Sequence, residues 1–193
     1  MRIITQQHDA LDLPKGRYSV ILADCPWTFE TYSGKGKGKS AEQHYNTMSL
    51  EQIKAMPVKQ LARADCSLFM WVTWPLLQEG LDTMKAWGFE YKTCAFTWMK
   101  LNQKTKSLFM GMGMSCTRAN SEVCLYATRG HPKRLDGGVP SAVLSKRREH
   151  SRKPDIIHNR IERLFPGPRI ELFGRAQRDN WTVWGAQQDK FSE

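Results

Sequence analysis

The sequence predicts an α/β layer fold with a mostly parallel sheet. Short apolar runs with β-branched residues alternate along the chain with stretches whose apolar residues recur at helical spacing. The helical stretches also carry start and stop residues where capping chemistry needs them. With 193 residues, 40% hydrophobic and 25% charged, the chain can bury one sizeable core. It reads as a single domain over 1–193.

The elements follow in order. Tyr18–Ala23 is a short, mostly apolar run with β-branched residues and reads as a buried strand. Ser49 followed three residues later by Gln52 is a capping box; it opens a short helix that stops near Pro57, with a further helical piece through Leu61. Residues 67–73 are strand-like. Leu76, Leu77, Leu81 and Met84 lie at helical spacing, and Gly88 follows as a stop. Residues 91–100 and 122–128 read as further strands. Pro154 suits the first turn of a helix with Ile157, Ile161 and Leu164 on one face, ended before Pro166. Residues 169–173 form the last well-marked strand. In such sheets, ligands gather outside the carboxyl ends of the strands, where strand order reverses.

Charge is distributed unevenly. The net charge is +10, from 29 Lys and Arg against 19 Asp and Glu. Residues 100–170 hold 15 of the basic and 5 of the acidic residues, so the rest of the chain is neutral. That asymmetry implies a polyanionic partner, nucleic acid first and a membrane surface second; a solvated basic face without a partner is the plain alternative. The connections at 101–121 and 129–153 are long, polar and basic, as functional or mobile loops tend to be. A further basic loop at 34–39 carries Lys35, Lys37 and Lys39 between glycines that cannot hold a helix or strand cheaply. It ends in Gly38-Lys39-Ser40, but Ser33 stands where a Walker loop needs glycine, so a nucleotide-hydrolase loop is rejected. Contact with a nucleic-acid backbone or a plain flexible linker remains.

Other classes fall away. No apolar run approaches the length of a membrane helix, and the first residues lack an apolar signal core. Cys25, Cys66, Cys94, Cys116 and Cys124 form no C-x-x-C pair, so no metal site is expected. An odd count without a secretory signal points to reduced thiols in the cytoplasm, most of them core residues. The five histidines form no evident triad or metal set, and most of the remaining Trp and Met residues are expected in the core.

Asp24-Cys25-Pro26-Trp27 follows the first strand directly, where a ligand is expected, though Asp and Pro are also ordinary turn residues. The segment resembles the D-P-P-W motif of the adenine-N(6) methyltransferase family that includes the catalytic subunit of the messenger-RNA methyladenosine writer and many bacterial and phage enzymes. The likeness runs from Tyr18 to about Gln187. Tyr45-Asn46-Thr47-Met48-Ser49 resembles the family's Y-x-T-M-S segment, and Leu68-Phe69-Met70-Trp71-Val72-Thr73 its L-F-L-W-V-T strand. Trp87-Gly88-Phe89 and Trp98-Met99-Lys100 follow in family order, then Arg118 and Glu122. Glu149-His150-Ser151-Arg152-Lys153-Pro154-Asp155 looks like its H/R-K-P-D loop. Glu171-Leu172-Phe173-Gly174-Arg175 matches E-L-F-G-R, and Asn180-Trp181 through Trp184-Gly185 its closing segment. One block is weak; the collinear set is specific.

The resemblance implies a Rossmann-like fold dependent on S-adenosylmethionine, with a twisted, mostly parallel sheet flanked by helices. It implies methyl transfer to the exocyclic N(6) amine of adenine. That amine is a poor nucleophile because its lone pair is delocalised into the ring. A carboxylate and a backbone carbonyl accepting its two protons release the lone pair and stabilise the developing positive charge. Asp24 supplies the first acceptor and the Cys25 carbonyl the second. Pro26 restricts Cys25, and Trp27 stacks on a base removed from its helix. Cys25 departs from the usual Pro and loses one ring's rigidity, but not the carbonyl.

By the same resemblance, Asp24, Lys153, Glu171, Phe173, Arg175, Gln177 and Gln187 border the cofactor, Glu171 at the ribose hydroxyls. Lys153 reaches the cofactor or the adenine from its loop. Ala186 replaces a family Asn, so one polar contact is missing. Tyr45, Lys100, Arg118 and Glu122 line the target base or nearby phosphates. Prokaryotic relatives often act on DNA and eukaryotic-style extensions are not seen, so DNA is expected over RNA, and a homodimer or heterodimer is open. The alternatives are an inactive nucleic-acid-binding subunit of a methyltransferase complex, and methylation of a small-molecule or protein amine.

Overall fold

The structure, a computed structural model, describes residues 13–28, 47–111, 113–114, 116–149 and 151–185. Along these residues run the strands β1 (Tyr18–Ala23), β2 (Ala62–Val72), β3 (Glu90–Leu101), β4 (Gly113–Met114), β5 (Thr117–Arg118), β6 (Ser121–Arg129), β7 (Ala142–Lys146), β8 (Arg169–Leu172) and β9 (Trp181–Trp184). The α-helices are α1 (Leu50–Ala55), α2 (Leu77–Ala86) and α3 (Ile156–Leu164). Seven strands form one sheet in the order β7-β3-β6-β2-β1-β8-β9, and β4 and β5 make a small separate hairpin. Within the sheet β6 alone runs against the others, antiparallel to both β2 and β3. The expected α/β class with a mostly parallel sheet flanked by helices is what forms.

Local chemistry explains the helix ends. At α1 the Ser49 hydroxyl accepts the Gln52 N–H at 3.2 Å, and the Gln52 side chain accepts the Ser49 N–H at 2.9 Å. The piece that follows through Gln60 is a 3₁₀ turn. At the end of α2, Gly88 takes φ +81°. Its N–H reaches the Lys85 carbonyl while the Phe89 N–H reaches that of Met84, the Schellman pairing that a glycine permits. Pro154 precedes α3, its carbonyl accepting the Ile157 N–H.

The alternation of β1 and β2 divides the core between two faces. Ile21, Ala23, Leu68, Met70 and Val72 pack with Ile53, Met84 and Trp87 beneath α1 and α2. The Trp87 indole N–H finds the Ile53 carbonyl at 2.9 Å, which satisfies its one buried polar atom. Val20, Leu22, Phe69, Trp71, Phe96 and Trp98 pack with Ile157, Ile161 and Phe165 beneath α3. Each such side chain, fully buried, stabilises the fold by roughly 1.5–3 kcal/mol.

Strands β7 and β9 and the hairpin β4–β5 were not anticipated. Edge strand β7 lies inside the stretch read as a basic connection, and only Val143 of its five residues is buried. Outer strand β9 buries only Trp181. A strand that packs so little against the core carries too few apolar residues to announce itself.

Strand β1 sits centrally, with β2 parallel on one side and β8 parallel on the other. Strand order therefore reverses at its carboxyl end, where Asp24 stands. Because β6 is reversed, its amino end, with Ser121 and Glu122, reaches the same edge. Replacing the α1 cap, Ser49→Ala, is expected to lower stability by about 1 kcal/mol, measured as a lower urea midpoint with an unchanged slope.

Candidate active site

The Asp24 side chain is 22% exposed and already engaged. The Lys153 ammonium donates to its two oxygens at 2.7 and 2.8 Å. The same ammonium lies 3.5 Å from Glu122 Oε2, and Glu122 Oε1 accepts from Lys100. A chain of alternating charge thus runs Lys100, Glu122, Lys153, Asp24. Arg175 Nη2 closes it 4.0 Å from Asp24 Oδ2 and donates to the Ser151 carbonyl at 2.5 Å. Aromatic faces support both ammonium groups: Lys153 Nζ is 5.6 Å from the Trp71 ring centroid and Lys100 Nζ 5.0 Å from that of Trp98. Lys153, expected to reach the cofactor or the adenine from its loop, grips Asp24 here.

Burial and charge oppose one another here. Burial pushes the Glu122 carboxyl up, but Lys153 and Lys100 outweigh it and hold it below its ordinary value of 4.5. Burial pulls Lys153 down, but Asp24 and Glu122 outweigh that and raise it above 10.5. The Cys25 thiol is pushed well up, by burial first and Asp24 second, so it is no nucleophile.

Backbone contacts pin the motif. The Cys25 carbonyl accepts the Trp27 N–H at 2.9 Å and keeps a second lone pair. The Pro26 carbonyl accepts the Met48 N–H at 2.9 Å, and Trp27 bridges Met48. The Trp27 indole N–H reaches the Trp71 carbonyl at 3.5 Å.

On the other flank, Glu171 Oε2 contacts His158 Nε2 at 2.8 Å. Phe173 and Ser151 adopt φ +64° and +62° without being glycine. Such conformations cost about 1–3 kcal/mol each and cluster at functional sites. Phe173 rests edge-on against Trp184, ring centroids 5.4 Å apart.

The structure brings together Asp24, Cys25, Pro26, Trp27, Lys100, Glu122, Lys153 and Arg175, with Glu171 on the adjoining strand β8 and Phe173 just past its end. Gln177 is exposed beyond β8. Exposed Arg118 donates to the Gly111 carbonyl at 2.8 Å and ties down its own loop. Lys35, Lys37, Lys39, Tyr45 and Gln187 lie outside the described residues. Sequence reasoning missed His158. It pairs with a carboxylate 13 positions away across a turn, and no local pattern signals such a pair.

Comparison with known proteins extends the picture. The family model described as MT-A70 matches residues 18–187. The N(6)-adenosine-methyltransferase MT-A70-like protein of Drosophila melanogaster is 34% identical over 178 residues, covering 90% of this chain and 27% of that protein. The type II methyltransferase M.MunI of a Mycoplasma species is 30% identical over 193 residues, covering 91% of this chain and 79% of that one. The human N(6)-adenosine-methyltransferase catalytic subunit METTL3 is 31% identical over 178 residues, covering 90% and 29%. The chain thus spans less than a third of these eukaryotic relatives.

The charge chain makes stability depend on pH at both ends. Glu122, held low, contributes fully above 4.5 and loses that contribution as pH falls through its lower folded value. Lys153, held high, contributes fully below 10.5 and loses that contribution as pH rises through its higher folded value. Urea unfolding is expected to show a plateau between these limits. In Lys153→Met the acid loss from Glu122 is expected to be smaller, because without that cation its folded value lies closer to the unfolded one.

Proposed function

Because the chain belongs to the MT-A70 family, we propose that it transfers a methyl group from S-adenosylmethionine to the N(6) amine of adenine in nucleic acid, DNA favoured over RNA. The observation that carries this reading is the Asp24 carboxylate beside the Cys25 carbonyl at the carboxyl end of β1, where strand order reverses. The length shared with a type II methyltransferase supports the preference for DNA.

Asp24 accepts one amine proton and the Cys25 carbonyl accepts the other through its free lone pair. The amine nitrogen then turns its own lone pair out of the ring plane. A carboxylate offers about four acceptor positions, and Lys153 occupies two, so Asp24 receives the amine without releasing its cation. The positive charge that methyl transfer would place on the nitrogen would face Asp24, and the excess amine proton would leave on that side to water. Trp27 stacks on the extruded base.

When bound, S-adenosylmethionine supplies a methyl group activated by a sulfonium. The residues at the β8 edge suit it. Glu171 has one oxygen fixed by His158, while the other accepts from no described residue, an arrangement suited to ribose hydroxyls. Phe173, Arg175 and Lys153 border the same edge, and Gln177 and Gln187 are taken as further cofactor contacts. Lys100, Glu122, Arg118 and Tyr45 serve the target strand, as do Lys35, Lys37 and Lys39. The chain is read as a single domain over 1–193, its basic segments at 34–39, 101–121 and 129–153 facing the nucleic acid.

Label from the methyl donor, offered with mixed DNA and RNA and followed by digestion to nucleosides, is expected in N(6)-methyldeoxyadenosine. Its absence from methyladenosine of either sugar type overturns the assignment. The variant Asp24→Ala is expected to lower turnover by at least about a hundredfold. Binding to DNA is expected to weaken roughly a hundredfold between 50 and 200 mM salt if about four phosphates are neutralised, measured by anisotropy.

A further inference from the structure

We propose that Trp74 is a fixed stacking platform for a nucleobase of the bound strand other than the adenine being modified, an inference that rests on the nucleic-acid reading above. Of the seven tryptophans, Trp71, Trp87, Trp98 and Trp181 are buried, and Trp27 and Trp184 are partly covered. Trp74 is 50% exposed. Leaving that much aromatic surface in water forgoes burial that the other rings obtain.

The exposed ring is nevertheless held in place. Its indole N–H donates to the Ser121 hydroxyl at 3.0 Å. Its backbone lies in a 3₁₀ turn over Trp74–Leu76, closed by the Leu76 N–H on the Thr73 carbonyl at 2.9 Å and stiffened by Pro75. An indole fixed at its polar edge and at its backbone presents its face with little ordering left to do on binding.

Its position is set by register. Val72 pairs with Val123, so one step further Thr73 lies opposite Glu122, and Trp74 beside Ser121. The ring therefore stands at the outer rim of the charge chain that holds Asp24. Along the same edge Lys104 and Lys106, on the connection after β3, and Lys146, at the end of β7, are exposed and form no ion pair among the described residues. Exposed Leu108 and Met110 belong to the same connection after β3. Free cations for the backbone and a flat ring for a base are what single-stranded nucleic acid requires. A purely ionic partner needs no ring.

The test compares binding of a single-stranded deoxyadenylate oligomer with that of an abasic sugar–phosphate oligomer of equal length, by anisotropy. The parent prefers the base-bearing strand. Trp74→Ala is expected to reduce that preference about tenfold while binding the abasic strand as the parent does. Trp74→Phe retains most of the preference, and Ser121→Ala loses part of it. Unchanged S-adenosylmethionine affinity serves as the folding control. An unaltered preference in Trp74→Ala, as a protein-docking role for the ring predicts, overturns the inference. So does an equal loss for both strands, or a parent that binds neither. Loss of preference in Trp74→Ala alongside a parent that transfers no label leaves the platform standing and removes the methyltransferase reading instead.

Discussion

Two carboxylates reach one edge of the sheet, Asp24 from the end of β1 and Glu122 from the start of β6, and a single ammonium stands between them. Like charges so placed, with little water to screen them, repel strongly unless a cation intervenes. Lys153 is that cation, and it comes from a loop 129 positions away from Asp24. The loop must therefore be held. Arg148 binds Asp155 at 2.6 Å and the Lys153 carbonyl at 2.9 Å, Arg178 lies 3.4 Å from Asp155, and the left-handed Ser151 offers its carbonyl to Arg175. Much of the cationic stretch is in this way spent on internal order rather than on a partner.

The reversed strand makes the arrangement possible. Were β6 parallel to its neighbours, its amino end and Glu122 would lie at the opposite edge, and Lys100 and Lys153 would face Asp24 alone. In the proposed reaction the benefit is preorganisation. The carboxylate that accepts the amine proton is oriented before the base arrives, and its cation need not leave.

Replacement of the motif's first proline by Cys25 is compensated locally. The turn from the Cys25 carbonyl to the Trp27 N–H and the bond from Met48 to the Pro26 carbonyl restrain the segment that a second ring would otherwise stiffen. Burial keeps the thiol protonated and inert, so the substitution adds no competing chemistry.

Wherever a feature depends on neighbours in sequence, reading the chain sufficed. The Ser49–Gln52 box, the Gly88 stop, the buried runs of β1 and β2 and the Asp24-Cys25-Pro26-Trp27 turn are local, because capping, backbone conformation and alternation act over a few residues. The collinear motifs carried the family for the same reason. Tertiary structure decided what joins distant segments. It added β7 and β9, whose few buried residues leave no pattern. It set Lys153 against Asp24 and Glu122, joined His158 to Glu171, and left Trp74 as an exposed, anchored ring where core burial was expected. Charge and hydrogen bonding act through space, and a linear pattern holds no distance between residues more than a hundred positions apart.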